Sequence, residues 1–133
     1  MNVVITYKEI SDFIEKQFNI RPVINTVDTQ TIEVSYKPGA FIPAIVVKLR
    51  VDDVSDDIVH LSYDCGKGAS FVITGAVAYI EQKIPKGIEV NTTDKHIAVY
   101  PQHIKELKKV MEYVALNTVR FEDNSINLAL IIL

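Results

Sequence analysis

The sequence predicts an α+β fold in which a largely antiparallel sheet packs on two or three helices. Three observations carry that reading. A helix-start signature at Thr6 and Glu9 opens a stretch of helical period, and the period then falls to two between Val23 and Tyr63 with only short connections. The chain closes on Ile126-Asn127-Leu128-Ala129-Leu130-Ile131-Ile132-Leu133, an apolar run that reads as a last strand covered by the core and is expected to be buried to its end.

In the first element, Thr6 stands as N-cap and Glu9 at the third helical position, with Ile5 and Ile10 placed to close a hydrophobic staple. Ile10, Phe13, Ile14 and Phe18 recur at helical spacing and are expected to face inward, leaving Lys8, Asp12, Glu15 and Lys16 outside. Asn19 and the Arg21-Pro22 step end the pattern.

Ile32, Val34 and Tyr36 then alternate with Glu33 and Ser35, and Tyr36-Lys37-Pro38-Gly39 reads as a turn. Ile45, Val47, Leu49 and Val51 form one face of the next strand. Val59, Leu61 and Tyr63 do the same after an acidic stretch, Asp52 to Asp57, read as a solvated turn. Ala69 to Ile84 carries so few polar residues that it predicts a helix covered on nearly every side, although the same composition suits the start of a strand; Pro85 and Gly87 end it. A hairpin follows, with Ile88-Glu89-Val90 and Ile97-Ala98-Val99 around residues 91–95. Pro101 opens an expected third helix, with Ile104, Leu107, Met111 and Val114 inward and Lys105, Lys108, Lys109 and Glu112 outward. The final hairpin runs through Val119 and Phe121, turns at Glu122-Asp123-Asn124-Ser125, and ends in the apolar strand.

With 133 residues, 48% hydrophobic and 23% charged, the chain (1–133) is read as a single α+β domain with room for a real core. A net charge of −3 with scattered basic residues gives no footprint for nucleic acid. No run of 18 apolar residues is present to span a membrane as a helix. Met1 to Ile5 lacks the basic n-region of a signal peptide, so the expectation is a cytoplasmic protein unless such a segment has been removed.

Residues with chemical potential are few. Gly66, Lys67 and Gly68 form the anion-binding candidate, because glycines admit a ligand to the backbone and Lys67 precedes an expected helix N-terminus; the same residues also suit a plain strand-to-helix turn. Cys65 reads as a small, half-buried residue, since the three histidines, His60, His96 and His103, are dispersed along the chain and supply no evident base. No metal or cofactor signature is present, and the expectation is a non-enzymatic protein. Apolar surface is abundant instead. Phe71, Val77, Ile80, Leu128 and Leu130 are the ligand-binding candidates for a hydrophobic small molecule or lipid. The rival readings are a homodimer interface and a plain core.

The stretch Val46-Val47-Lys48-Leu49-Arg50-Val51 through Ile58-Val59-His60-Leu61-Ser62-Tyr63, the helix expected near Ser70, and Val119 to Leu128 resemble, in element order, bacterial members of the tubular lipid-binding (TULIP) superfamily. The resemblance implies a curved antiparallel sheet wrapped on a long helix and non-enzymatic binding of a lipid or other hydrophobic molecule. It assigns no catalytic residue. A helix followed by four strands suits a cystatin-like sheet equally, and that is the alternative fold.

Overall fold

The computed structural model describes residues 1–37, 44–55, 57–65, 86–105 and 107–133. The expected helix at Ala69–Ile84 lies outside these residues, as do Pro38 and Gly39 of the first turn.

The described chain folds as antiparallel strands with one α-helix, which keeps the α+β class. The strands form two sheets. The first three elements are β1 (Asn2–Thr6), α1 (Tyr7–Phe18) and β2 (Val23–Asp28). The next strands are β3 (Thr31–Tyr36), β4 (Ile45–Ser55), β5 (Ile58–Asp64), β6 (Ile88–Asn91) and β7 (His96–Val99), and the last two are β8 (Val114–Glu122) and β9 (Ser125–Ile132). A three-stranded sheet runs β1-β9-β8, and a six-stranded sheet runs β2-β3-β4-β5-β7-β6.

Helix α1 starts as its residues dictate. Thr6 Oγ1 accepts the Glu9 N–H at 3.1 Å, and Glu9 Oε1 accepts the Thr6 N–H at 3.1 Å, so two otherwise unsatisfied donors are closed reciprocally. It stops at Asn19, whose left-handed φ of 57° lets its N–H reach the Glu15 carbonyl at 2.8 Å. Tyr7 and Ser11 are buried, and Ile10, Ile14 and Phe18 are half-buried. Phe13 does not join them and is 58% exposed. Six residues past Tyr7, it lies roughly 120° round the helix from the seam, which Tyr7 and not Phe13 defines.

The two sheets share one core. The six-stranded sheet contributes Ile32, Val51 and Val59 among the buried residues, and the three-stranded sheet contributes Val119 and Phe121. Tyr7 enters from α1, and Ile126 and Leu128 of β9 pack around the cluster. Strand β8 is tied to the turns at one end of the larger sheet. The Phe121 N–H donates to the Thr29 carbonyl at 2.8 Å in the β2–β3 turn, and the Leu116 N–H to Asp57 Oδ1 at 2.9 Å in the β4–β5 turn. Tyr7 and Thr26 hydroxyls, bonded to each other, also meet the Glu122 carbonyl and fasten the first helix to the same corner.

Three expectations are corrected. The stretch after Pro101 is not a continuous helix: it holds 3-10 turns at Pro101–His103 and Val110–Glu112, and Val114 belongs to β8. Of the expected stripe, Ile104 and Met111 are half-buried and Leu107 is exposed, while Val114 is buried as a strand residue, so no continuous helical face is packed to hold a longer helix. Asp52 and Asp53 are strand residues of β4 beside a bulge, with Asp52 accepting from Ser62 Oγ at 3.1 Å; the turn itself is confined to the step around Asp57. The carboxyl end is paired but not buried. β9 is central in its sheet and half-buried from Ser125 to Leu130, yet Ile132 is 69% and Leu133 77% exposed because the strand runs past the residues that cover it.

Candidate functional site

Two surfaces carry the features from which function can be argued. The first is the β1 margin of the three-stranded sheet, which no other described strand pairs. Met1 and Leu130 exchange both of their backbone hydrogen bonds, at 3.1 and 2.7 Å. Because such pairs alternate in an antiparallel ladder, Val3 and Ile5 also turn their N–H and C=O toward β9, and the Tyr7 N–H bond to Asn124 at 2.9 Å continues the series. Asn2 and Val4 therefore turn their backbone groups to the open side of β1. The opposite margin of the sheet differs, since β8 is bound there by Thr29 and Asp57. β1 has neither a proline nor a charged residue, the usual protections of an edge strand.

Apolar side chains gather at the same end. Met1, Tyr113, Ile131, Ile132 and Leu133 are exposed there, and Val4, three residues along β1 from Met1, is 56% exposed. The Leu133 N–H donates to the Tyr113 carbonyl at 2.9 Å, which brings the end of β9 against the start of β8.

The second surface is the polar outer face of the six-stranded sheet. Pairing sets His60, Ala98 and Glu89 in one row across β5, β7 and β6, and Ser62, His96 and Asn91 in the next. His60 Nδ1 and His96 Nε2 stand 3.4 Å apart, with ring centroids 5.4 Å apart and planes 29° from parallel. Small, buried Ala98 forms the floor of a groove of ≈ 510 Å³ whose walls include His60, His96, Glu89 and Tyr100. The Tyr100 hydroxyl donates to Glu89 Oε2 at 3.3 Å, and the Glu89 charge, followed by burial, pushes the phenol above its ordinary range. His103 stacks on Tyr100, with centroids 5.6 Å apart.

A neighbouring groove of ≈ 510 Å³ is lined by Lys86, Gln102, His103, Lys105 and Lys108. Lys105 and Lys108, expected on the outer face of a helix, line this groove together with Lys86, which precedes the β6–β7 hairpin. Gly87, with φ of 103°, joins that hairpin to the rest: a Cβ there would lie 2.9 Å from both the Tyr100 carbonyl oxygen and Ile104 Cγ1.

Of the residues singled out from sequence, Leu128 packs against the shared core and Leu130 lies half-buried nearer the exposed end of β9. Phe71, Val77 and Ile80, and the anion-binding candidates Gly66, Lys67 and Gly68, lie outside the described residues. Cys65 is buried. Among the described residues no group of three or more His, Cys, Asp or Glu side chains is placed to hold a metal ion, and no helix is long and apolar enough to cross a membrane. The pairing of His60 with His96 was not legible from sequence, because it depends on β5 meeting β7 across the intervening residues. The one available signal was that both occupy polar-face positions of alternating strands.

No family model, curated protein or solved structure matches the chain.

Proposed function

We propose that this chain is a non-enzymatic interaction domain that pairs with a second copy of itself along β1. The supporting observation is the outward direction of the Asn2 and Val4 backbone groups on an edge that no other described strand pairs, in a sheet whose β9 ends in exposed apolar residues. An antiparallel copy centred on Val3 sets Asn2 of each strand against Val4 of the other, which satisfies the outward N–H and C=O groups and joins the two small sheets into one. Such a contact is isologous, so it closes as a twofold dimer and does not propagate. Burial of Val4 adds an apolar contribution of about 25 cal/mol per Å² removed from water.

Sedimentation equilibrium over a wide concentration range tests this reading. The wild type is expected to dimerise. Val4→Pro removes an outward N–H and no bond to β9, and is expected to weaken association at least about tenfold while leaving the fold intact, since proline is tolerated on an edge strand. A wild type that stays monomeric throughout, or a Val4→Pro variant that associates as tightly, contradicts it.

The second reading is binding of a lipid or other hydrophobic small molecule, which the TULIP resemblance implies. It is supported by the half-buried Leu128 and Leu130 leading out to exposed Ile132 and Leu133. Native mass spectrometry of protein purified without detergent, followed by organic extraction, distinguishes the two: a stoichiometric apolar adduct on the monomer favours the ligand, and an adduct-free dimer favours self-association.

A further inference from the structure

We propose that His60 Nδ1 and His96 Nε2 form a two-histidine chelate for a zinc ion on the outer face of the six-stranded sheet. The two rings come from positions 36 residues apart and meet because Ser62 pairs with His96 while His60 pairs with Ala98, one step along the same face. Their separation of 3.4 Å suits a tetrahedral metal. Two Zn–N bonds of about 2.0–2.1 Å at the tetrahedral angle place their nitrogens about 3.3–3.4 Å apart. A square-planar ion, with cis ligands at a right angle, needs about 2.9 Å and would have to draw the strands or rings together.

The surroundings allow an ion to enter. Both imidazoles are half-buried, so an ion reaches them without disturbing the core, and the groove over Ala98 leaves room for water on the remaining coordination positions. Asp53 sits opposite His60 on β4 and Glu89 opposite Ala98 on β6, while Arg50 stands opposite Ser62 in the row that holds His96. In the metal-free pair one facing nitrogen carries the hydrogen that bonds to the other. To present both lone pairs, His60 must hold its proton on Nε2 and His96 on Nδ1, and each ring must turn by about 35° from the line joining the nitrogens to point its lone pair at a tetrahedral metal.

The test is titration of untagged full-length protein with zinc chloride near pH 7.5, followed by calorimetry and by ¹⁵N resonances of the imidazoles. One zinc per chain is expected, with the metal-induced shifts at His60 Nδ1 and His96 Nε2. His60→Gln and His96→Gln are each expected to lower affinity at least about tenfold, with unchanged circular dichroism. His103→Gln, which alters the third histidine, an exposed one, should leave affinity as it was. Absence of saturable binding up to millimolar zinc overturns the proposal. So does equal loss in His103→Gln, or wild-type shifts centred on the opposite ring nitrogens, an outcome that needs no variant to fold.

Discussion

Replacing Phe121 by alanine should separate the two sheets more than any other single truncation among the described residues. Phe121 is 3% exposed, the lowest value in the core cluster, and it faces the six-stranded sheet from the smaller one. Its ring is also placed by a backbone bond to Thr29, so the surrounding strands cannot easily collapse into the space it leaves. Buried phenylalanine-to-alanine changes cost about 3–5 kcal/mol, and the tethered site argues for the upper half of that range. For a chain of this size the loss corresponds to a melting temperature lower by roughly 10–20 °C. Phe13→Ala provides the internal control, since that ring is 58% exposed and its loss should change stability by about 0.5 kcal/mol or less. Urea denaturation of the three proteins, with the slope checked for constancy, measures both effects. A Phe121→Ala loss below about 1 kcal/mol, or a Phe13→Ala loss of similar size to it, would refute the assignment of the seam to Tyr7 and Phe121.

Gly87→Ala is expected to cost about 1–3 kcal/mol from its positive φ alone and more from the contacts at Tyr100 and Ile104, read as a lower urea midpoint. Asp57→Ala should cost about 1–3 kcal/mol by leaving the Leu116 N–H without its acceptor, whereas Asp57→Asn keeps an oxygen there and tolerates the φ of 62°, so it should stay near wild type in the same assay. The Glu9 carboxyl is held below its ordinary 4.5, first by the Thr6 N–H and then by the Thr6 hydroxyl. The folded state thus binds fewer protons at this site than the unfolded chain. Its contribution is complete above 4.5 and fades as the pH falls through the lower folded-state value, so Glu9→Gln should flatten the acid limb of a stability–pH curve measured by thermal melts.

The parts legible in the sequence are those governed by local chemistry. Thr6 and Glu9 announce a capping box whatever follows them, and Asn19 stops the helix because its side chain tolerates the left-handed region. The alternation of Ile32, Val34, Leu49, Val51, Val59 and Leu61 marks inward faces that the register confirms, since each pairs with an apolar neighbour. Two-residue turns such as Asp123-Asn124 are equally local. What escaped depends on partners distant in sequence. Asn2 to Ile5 reads as a lead into a helix, and only β9, about 125 residues on, makes it a strand. The stripe of Ile104, Leu107 and Met111 has helical spacing, yet Leu107 meets no packing surface and Val114 is claimed by Ile132 across the ladder. The exposed end of β9 was misread for a related reason: strand pairing satisfies its backbone without covering its last side chains. The divided sheet, with β8 held against two turns of its neighbour, has no counterpart in periodicity at all.

Amide hydrogen exchange along β1, followed residue by residue at low and high protein concentration, tests the proposed edge pairing most directly. The Val3 and Ile5 amides, directed to β9, should be protected at every concentration, and the Val4 amide should exchange freely when dilute and become protected as the dimer forms. A Val4 amide that exchanges equally fast at both extremes, while Val3 and Ile5 stay protected, would contradict self-association along this strand.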